Sequence, residues 1–253
     1  MEKSLQGKTA LVTGASGNLG QAICTALAQQ GAQVALLYGS VDSQLTTQEF
    51  AAALQEHYWN KALAIHGDVR NETGMSLALD TVIEEFGKLD VVVNNAGVFT
   101  VGDQEHLAES DWDRVMDINV KGLWRTCRLA IPHLRQSKGT VVNICSINAF
   151  HPGFGGTAHY DASKGAVVSY TRSLAKELAE YGIRVNGVAP GLLESPVLRS
   201  GNPQLVASYE QRAALGRLVR PAEIASIVCF LASENSSAIT GEVFAADCGY
   251  VMM

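Results

Sequence analysis

The chain has no apolar run approaching the ~20 residues needed to cross a bilayer. Its first stretch, MEKSLQGKTALVTG, passes from charge to a short apolar segment and a glycine turn, with no signal-peptide core. A cytoplasmic protein is expected, with no membrane partner. There is no basic excess either: 19 Lys and Arg stand against 25 Asp and Glu, a formal net charge of -6. General nucleic-acid or anionic-membrane binding is therefore not expected. Cysteine is scarce and unpatterned. Cys24, Cys127, Cys145, Cys229 and Cys248 are odd in number and lack C-x-x-C spacing, which predicts free buried thiols rather than disulfides or zinc ligands. The six histidines show no metal-ligand spacing, and no metal is expected. No repeat or low-complexity tract interrupts the chain.

What is present is ordinary globular material, 47 % apolar and 17 % charged over 253 residues, enough to bury a large core. Strands are expected at Lys8 to Thr13, Gly31 to Tyr38, Lys61 to Ile65, Leu89 to Val93, Thr140 to Ile144, Ile183 to Val188 and Glu242 to Ala245. Leu89-Asp90-Val91-Val92-Val93 has the continuous apolar character of a strand covered on both faces of a parallel sheet. Helices are expected at Gln21 to Gln30, Thr46 to Tyr58, Thr73 to Phe86, Asp111 to Arg135, Ala158 to Tyr181 and Pro221 to Leu231. From Leu192 to Arg220 the pattern turns irregular, which predicts a long loop, either a lid or disordered. This alternation implies an α/β fold: one doubly wound, Rossmann-like parallel sheet with helices on both faces. It is read as a single domain over 1–253 with a substrate-loop insertion at about 192–220.

The first strand empties into Gly14-Ala15-Ser16-Gly17-Asn18-Leu19-Gly20 and then a helix. A strand, a glycine turn and a helix N-terminus form a phosphate cradle, because unpaired N–H groups and the helix dipole face the anion. A plain helix-initiating turn is the alternative, and the place of the turn after the first strand favours the cradle. The fourth strand ends in Asn94-Asn95-Ala96-Gly97, small residues that let a backbone approach a flat ligand. Asp68, beside Val69, either accepts from an adenine amine or caps a turn. Asn119, a polar residue within an apolar helix, is expected to be both a hydrogen-bond hub and a catalytic group.

The stretch from Ser146 to Lys164 holds a hydroxyl, then the phenol of Tyr160, then an amine four residues further on. Four-residue spacing puts Tyr160 and Lys164 on one helix face. Free tyrosine titrates near pH ~10, and a neighbouring ammonium favours its phenolate, so such a phenol can move protons near neutrality. The fifth strand delivers Ser146 at its C-terminal end, the edge where open α/β sheets bind ligands.

Together these motifs resemble the short-chain dehydrogenase/reductases, in particular the branch of about 250 residues that includes 3-oxoacyl reductases and many sugar and polyol dehydrogenases. The likeness covers essentially the whole chain and keeps the family's order: Thr13-Gly14 to Gly20, Asp68, Asn94 to Gly97, Asn119, Ser146, Tyr160 with Lys164, and Pro190-Gly191. The resemblance implies hydride transfer between a nicotinamide cofactor and a ketone or secondary alcohol, with a small carbonyl, polyol or sugar-like substrate. Tyr160 would be the acid/base, Lys164 would hold the phenolate and the nicotinamide ribose, Ser146 would bond the carbonyl oxygen, and Asn119 would anchor a relay water. Gly14, Ser16, Asn18, Leu19, Gly20, Asn95, Ala96, Gly97, Pro190, Gly191, Leu193 and Ser195 would line the dinucleotide site, with Tyr38, Gly39, Ser40, Asp68 and Val69 at its adenosine end. The alternative, a regulatory or scaffold protein that binds a dinucleotide without turnover, would be favoured by loss of the serine, tyrosine or lysine, and none is lost.

Several positions depart from the family pattern. Asn18 stands where glycine is usual, and asparagine tolerates positive φ. Ser195 replaces a common threonine, Cys248 replaces a common glycine, and the gap from Ser146 to Tyr160 is one residue longer than in many relatives. An NAD-preferring fold usually ends its second strand in a carboxylate; here the place reads Tyr38-Gly39-Ser40, so NADP(H) is expected in preference to NAD(H), with Asp42 the nearest acid. Phe154, Leu193, Val197, Leu198 and Tyr209 suggest a partly apolar pocket. His151 and His159 are expected to be loop residues rather than substrate contacts. The family commonly forms tetramers, and Val243 to Ala246 with Tyr250 to Met253 would suit an interface between copies. A free small molecule is expected as substrate rather than a carrier-bound one, because the helix end near Tyr181 offers little basic surface.

Overall fold

A computed structural model describes residues 3–252. Its strands are β1 (Thr9–Thr13), β2 (Gln33–Tyr38), β3 (Ala62–His66), β4 (Val91–Asn94), β5 (Thr140–Ile144), β6 (Arg184–Pro190) and β7 (Val243–Ala246). The helices are α1 (Asn18–Gln29), α2 (Gln44–Tyr58), α3 (Glu72–Phe86), α4 (Glu109–Met116), α5 (Leu123–Ser137), α6 (Ala158–Leu178), α7 (Pro196–Gly201), α8 (Pro203–Arg212) and α9 (Pro221–Ala232). The seven strands form one sheet in the order β3-β2-β1-β4-β5-β6-β7, and every pairing is parallel. The direction of winding reverses between β1 and β4, which lie in register with Val12 opposite Val93. Their C-terminal ends therefore open a crevice at the switch point, where such sheets bind ligands.

Crossovers between parallel strands place helices on both faces, so successive strand residues enter different cores. Leu11, Val92 and Val141 join Val82 of α3, Leu134 of α5 and Leu174 of α6. Their neighbours Val12, Val93 and Val142 join Leu27 of α1 and Val228 of α9 on the opposite face. This is the physical reason for the unbroken valine run in β4. The expected thiols follow the same burial: Cys24, Cys127, Cys145 and Cys229 are buried, Cys248 is half-buried, and all are free. No described helix is long and apolar enough to cross a membrane.

Three segments differ from the sequence expectation. α1 begins at Asn18 rather than Gln21, because Gly17 takes the N-cap with extended backbone, φ −76° and ψ 163°. Asn18 thus lies in the first helical turn, and positive φ is needed only at Gly14 (+63°). The single helix expected over Asp111 to Arg135 is divided: a π-helical turn, Asp117–Gly122, separates α4 from α5. Gly122 is obligatory there, since a Cβ would lie 2.7 Å from Val69 Cγ2. The segment 192–220 is not a structureless loop. Pro196 and Pro203 start α7 and α8 at positions where a missing N–H costs nothing, and Leu193 bridges to Val219.

Candidate active site

The glycine turn is locked to the end of β4 by hydrogen bonds that its sequence supplies. Thr13 Oγ1 accepts from the N–H groups of Asn95 and Ala96 at 3.0 Å each, and Asn95 Nδ2 donates to the carbonyls of Thr13 and Gly14, also at 3.0 Å. Backbone meets backbone closely enough that a Cβ on Gly14 would lie 2.8 Å from Ala96 Cα, and one on Gly20 would overlap the Gly14 carbonyl. No side chain caps the N-terminus of α1, and its first turn carries no acid. Asn18 Nδ2 instead donates 3.2 Å to the Glu194 carbonyl, tying the turn to the segment after β6.

Asn119, in the π turn, is a buried hub. Its Oδ1 accepts from Val98 N (2.8 Å), and its Nδ2 donates to Val98 O and Ser163 Oγ, both at 3.0 Å. Two turns of α6 bring Tyr160 and Lys164 to the same face. Lys164 is 6 % exposed, donates to the Ile144 carbonyl at 2.9 Å and lies 5.7 Å from the Tyr160 ring centroid. Gly97 leaves the space in front of it open: a Cβ there would sit 3.7 Å from Lys164 Nζ and 3.3 Å from Asn119 Oδ1. Ser146 caps a short 3-10 turn, Ile147–Ala149, by accepting from Asn148 N at 3.2 Å, and its hydroxyl proton stays available.

A cleft of about 410 Å³ gathers Gly14, Ser16, Leu19, Gly20, Asn95, Ala96, Gly97, Ser146, Tyr160, Lys164, Pro190, Gly191 and Leu193. All of these are among the residues expected at the site. Cys145 also lines it, and burial pushes that thiol up to about 12, so it is not a nucleophile at neutral pH. Five residues expected at the adenosine end, Tyr38, Gly39, Ser40, Asp68 and Val69, lie outside the lining of this cleft, at or after the ends of β2 and β3. The Tyr38 ring is buried and tilts against His66 at 5.5 Å, which leaves only its main chain to a ligand. Gly39 faces Asp68, with a Cβ-to-Cα approach of 3.6 Å. Ser40 Oγ accepts from Asp42 N at 3.2 Å and donates to Asp42 Oδ2 at 3.5 Å. Asp68 caps its turn: it accepts from Arg70 N at 2.9 Å and pairs with the Arg70 side chain at 2.6 Å. That guanidinium holds the Asp68 carboxyl below the usual carboxylate range. The carbonyl of Val69 accepts from the buried Arg125 side chain.

A second cavity, about 1090 Å³, adjoins the cleft and shares Ser146, Tyr160, Phe99, Gly191 and Leu193 with it. Ser195 belongs to this cavity and also caps α7 through Leu198 N at 3.1 Å. Phe154, Leu193, Leu198 and Tyr209 line it as expected, whereas Val197 is 80 % exposed and does not. His151 lines it; His159 is fully buried in α6 and bonds Thr100 Oγ1 at 2.7 Å, so it is not a loop residue. Phe99, which no sequence signal marked, packs edge-on to Tyr160 at 4.8 Å. Tyr250 is also new to the site: it stacks on Tyr209 at 4.5 Å, and its segment is pinned by Asp247 Oδ2 accepting from Val251 N at 2.7 Å. Met253 lies outside the described residues. The loop between Ser146 and Tyr160 is held by Asp161, which accepts from Asn148 Nδ2 (2.7 Å), Gly153 N (3.0 Å) and Thr157 Oγ1 (3.0 Å). Away from both cavities, Asp103, Glu105 and His106 cluster on an exposed loop that no metal-ligand spacing in the sequence marks.

Comparison with known proteins shows the family. The family profile described as Enoyl-(Acyl carrier protein) reductase covers residues 14–251. The 3-oxoacyl-(acyl-carrier-protein) reductase FabG of Thermotoga maritima is 34 % identical over 249 residues, 98 % of this chain and 99 % of that one. The cyclopentanol dehydrogenase of Comamonas sp. is 36 % identical over 246 residues, 96 % of each chain. Among solved structures, a blue fluorescent protein from a metagenomic library, in complex with NADPH, superposes with a TM-score of 0.90 at 32 % identity, covering 98 % of this chain and 100 % of that one. With the profile, the end-to-end relatives and the sheet in agreement, the chain belongs to the short-chain dehydrogenase/reductase family of oxidoreductases.

Proposed function

We propose that the protein interconverts a ketone and a secondary alcohol of a free small molecule, with a nicotinamide dinucleotide as hydride carrier and Tyr160 as acid/base. One observation carries the reading: Ser146 and Tyr160 stand where the glycine-lined cleft meets the larger cavity, and Lys164 lines the cleft beside them. The residues fit the cofactor. Gly14 and Gly20 let the backbone of the turn close tightly on itself and on Ala96, Gly97 leaves room in front of Lys164, and the uncapped N-terminus of α1 suits a pyrophosphate. When bound, the nicotinamide would supply or take up the hydride.

The rest of the chemistry belongs to side chains. Ser146 Oγ–H would donate to the substrate oxygen, and the Tyr160 phenol would pass its proton to that oxygen as negative charge develops there, a stabilisation stronger in the transition state than in the ground state. The Lys164 ammonium would stand beside the charge left on the phenol oxygen and, across the gap at Gly97, would hold the nicotinamide ribose. Both Nδ2 protons of Asn119 and one lone pair of its Oδ1 are taken by Val98 and Ser163, so a relay water at this position would be held by the remaining Oδ1 lone pair or by the main chain of the π turn. Such turns recur at functional sites. At the adenosine end, the absence of an acid at Tyr38-Gly39-Ser40 supports NADP(H) in preference to NAD(H).

Turnover of a panel of ketones, polyols and secondary alcohols with all four cofactor forms tests the reading. Hydride transfer to or from at least one member is expected, and cofactor binding without any turnover would overturn it. The proposal extends to a cytoplasmic homotetramer. β7 is a sheet edge, Ala245 on it is exposed, and an edge strand calls for cover. Light scattering at micromolar concentration that reported a monomer would remove the tetramer without touching the chemistry.

A further inference from the structure

We infer that the substrate carries a carboxylate and that Arg212 binds it; the inference rests on the ketone and alcohol chemistry proposed above. Arg212 ends α8 and lines the larger cavity together with Ser146 and Tyr160. An aromatic stack, not an acid, positions its cation. The guanidinium lies 4.4 Å above the Tyr250 ring, Tyr250 lies 4.5 Å from Tyr209 with their planes 5° apart, and Tyr209 Oη donates to the Asp247 carbonyl at 2.6 Å.

Among the described residues no carboxylate pairs with Arg212, and the acids around it are engaged elsewhere. Glu194 and Glu210 both pair with Arg199. Asp247 accepts from the N–H groups of Gly249 and Val251. Asp161 holds the loop before α6. Arg212 Nη2 reaches His151 Nε2 at 2.6 Å, and His151 Nδ1 lies 2.8 Å from the Pro152 carbonyl. Since Nδ1 must donate to that carbonyl, Nε2 accepts from the arginine, and these partners assign the tautomer. A guanidinium has five donors in a planar fork that matches a carboxylate edge to edge. Its acceptors are His151 Nε2 at 2.6 Å and, at the 3.5 Å limit, Tyr250 Oη, so most of that fork remains open.

The remaining wall is largely apolar, including Phe99, Phe154, Leu198 and Leu205. A single cation among apolar walls suits a monoanion at the end of a short carbon chain, a keto or hydroxy acid, rather than a phosphate dianion or a neutral thioester.

The test uses 4-oxopentanoate, 5-oxohexanoate and 6-oxoheptanoate, each beside its methyl ester, with cofactor-loaded protein. At least one acid is expected to exceed its ester tenfold in kcat/KM. Arg212→Met should lower that ratio at least tenfold, Arg212→Lys should restore part of it, and Lys61→Met, which removes a cation paired with Glu85 outside the cavity, should leave it within twofold. Equal use of acids and esters by the wild type, or a preference that survives Arg212→Met, would overturn the inference. If no member is turned over, the oxidoreductase reading is what that assay challenges, and quenching of bound NADPH fluorescence reads the anion site directly: acids that bind no tighter than their esters would overturn it.

Discussion

Asp161 Oδ1 accepts a 2.7 Å hydrogen bond from Asn148 Nδ2, joining the turn that carries Ser146 to the helix residue next to Tyr160. The glycine-bearing loop between them, through Gly153, Gly155 and Gly156, has little stiffness of its own, so this carboxylate sets the spacing of the hydroxyl and the phenol. Asp161→Ala is expected to lower kcat about 10- to 100-fold, the effect of displacing a catalytic group by an ångström or so. Cofactor affinity, read by NADPH fluorescence, should stay within twofold, and Asp161→Asn should recover part of kcat. Unchanged kcat in the alanine variant would show that the loop holds its geometry without the carboxylate.

Tyr160→Phe should lower kcat by about 10²- to 10⁴-fold, the usual worth of a positioned general acid, with cofactor binding largely intact. Lys164→Ala should lower kcat and weaken cofactor binding as well, because the same amine faces both the phenol and the space opened by Gly97. Steady-state kinetics beside fluorescence titration separates the two outcomes. Wild-type kcat in Tyr160→Phe would remove the acid/base assignment.

Cofactor choice turns on a few atoms at Ser40. Its hydroxyl bonds the main chain and the carboxylate of Asp42, and is free to turn toward a 2′-phosphate once that exposed contact opens. kcat/KM is expected to be higher with NADPH than with NADH, and Asp42→Asn should widen the gap by removing the nearest negative charge. A tenfold preference for NADH, about 1.4 kcal/mol in transition-state binding, would reverse the assignment and make Asp42 the ribose ligand.

What could be read from the sequence was what the local chain dictates. The valine runs of β4 and β5 declare two-sided burial, the glycines of the first turn declare a close approach, and the spacing of Tyr160 and Lys164 declares a shared helix face. α7 and α8, of 6 and 10 residues, carry too few turns for periodicity to register, although Ser195-Pro196 and Asn202-Pro203 were start signals in plain view. The π turn shifts the helical ladder by one residue without changing its apolar spacing, so Asn119 was found and its setting was not. Asp161 with Asn148, and Arg212 with Tyr250, meet across 13 and 38 residues of chain. Only the fold brings such pairs together, and nothing in either neighbourhood announces the partner.

Acid should loosen the start of α9. Glu223 sits at the third helical position, pairs with Arg217 and Arg220 at 2.8 Å each, and accepts from Arg220 N at 2.9 Å. Arg217 first, then Arg220, hold its carboxyl down to about 2 against an ordinary 4.5. Because the folded value is the lower one, the stabilisation is complete above pH 4.5 and is lost as pH falls toward 2. Glu223→Gln should therefore destabilise the protein near pH 7 by roughly 1 kcal/mol, a figure discounted for solvent screening, and Tm should drop by about 2–4 °C. The difference between the two proteins should shrink steadily below pH 4.5; a constant difference down to pH 2 would show that the charge is not its source.

Ser146, Tyr160, Phe99, Gly191 and Leu193 belong to both cavities, so until the cleft is filled the larger cavity lacks a floor. The two ligands are consequently not interchangeable in time. A substrate arriving first would meet water where the nicotinamide face should be, whereas one arriving second closes over a finished surface and bars the dinucleotide from leaving. On the proposed function a compulsory order of addition is expected, cofactor leading and trailing, visible as product inhibition that is competitive between the two cofactor forms alone. Random addition would mean that the substrate cavity is complete without its floor.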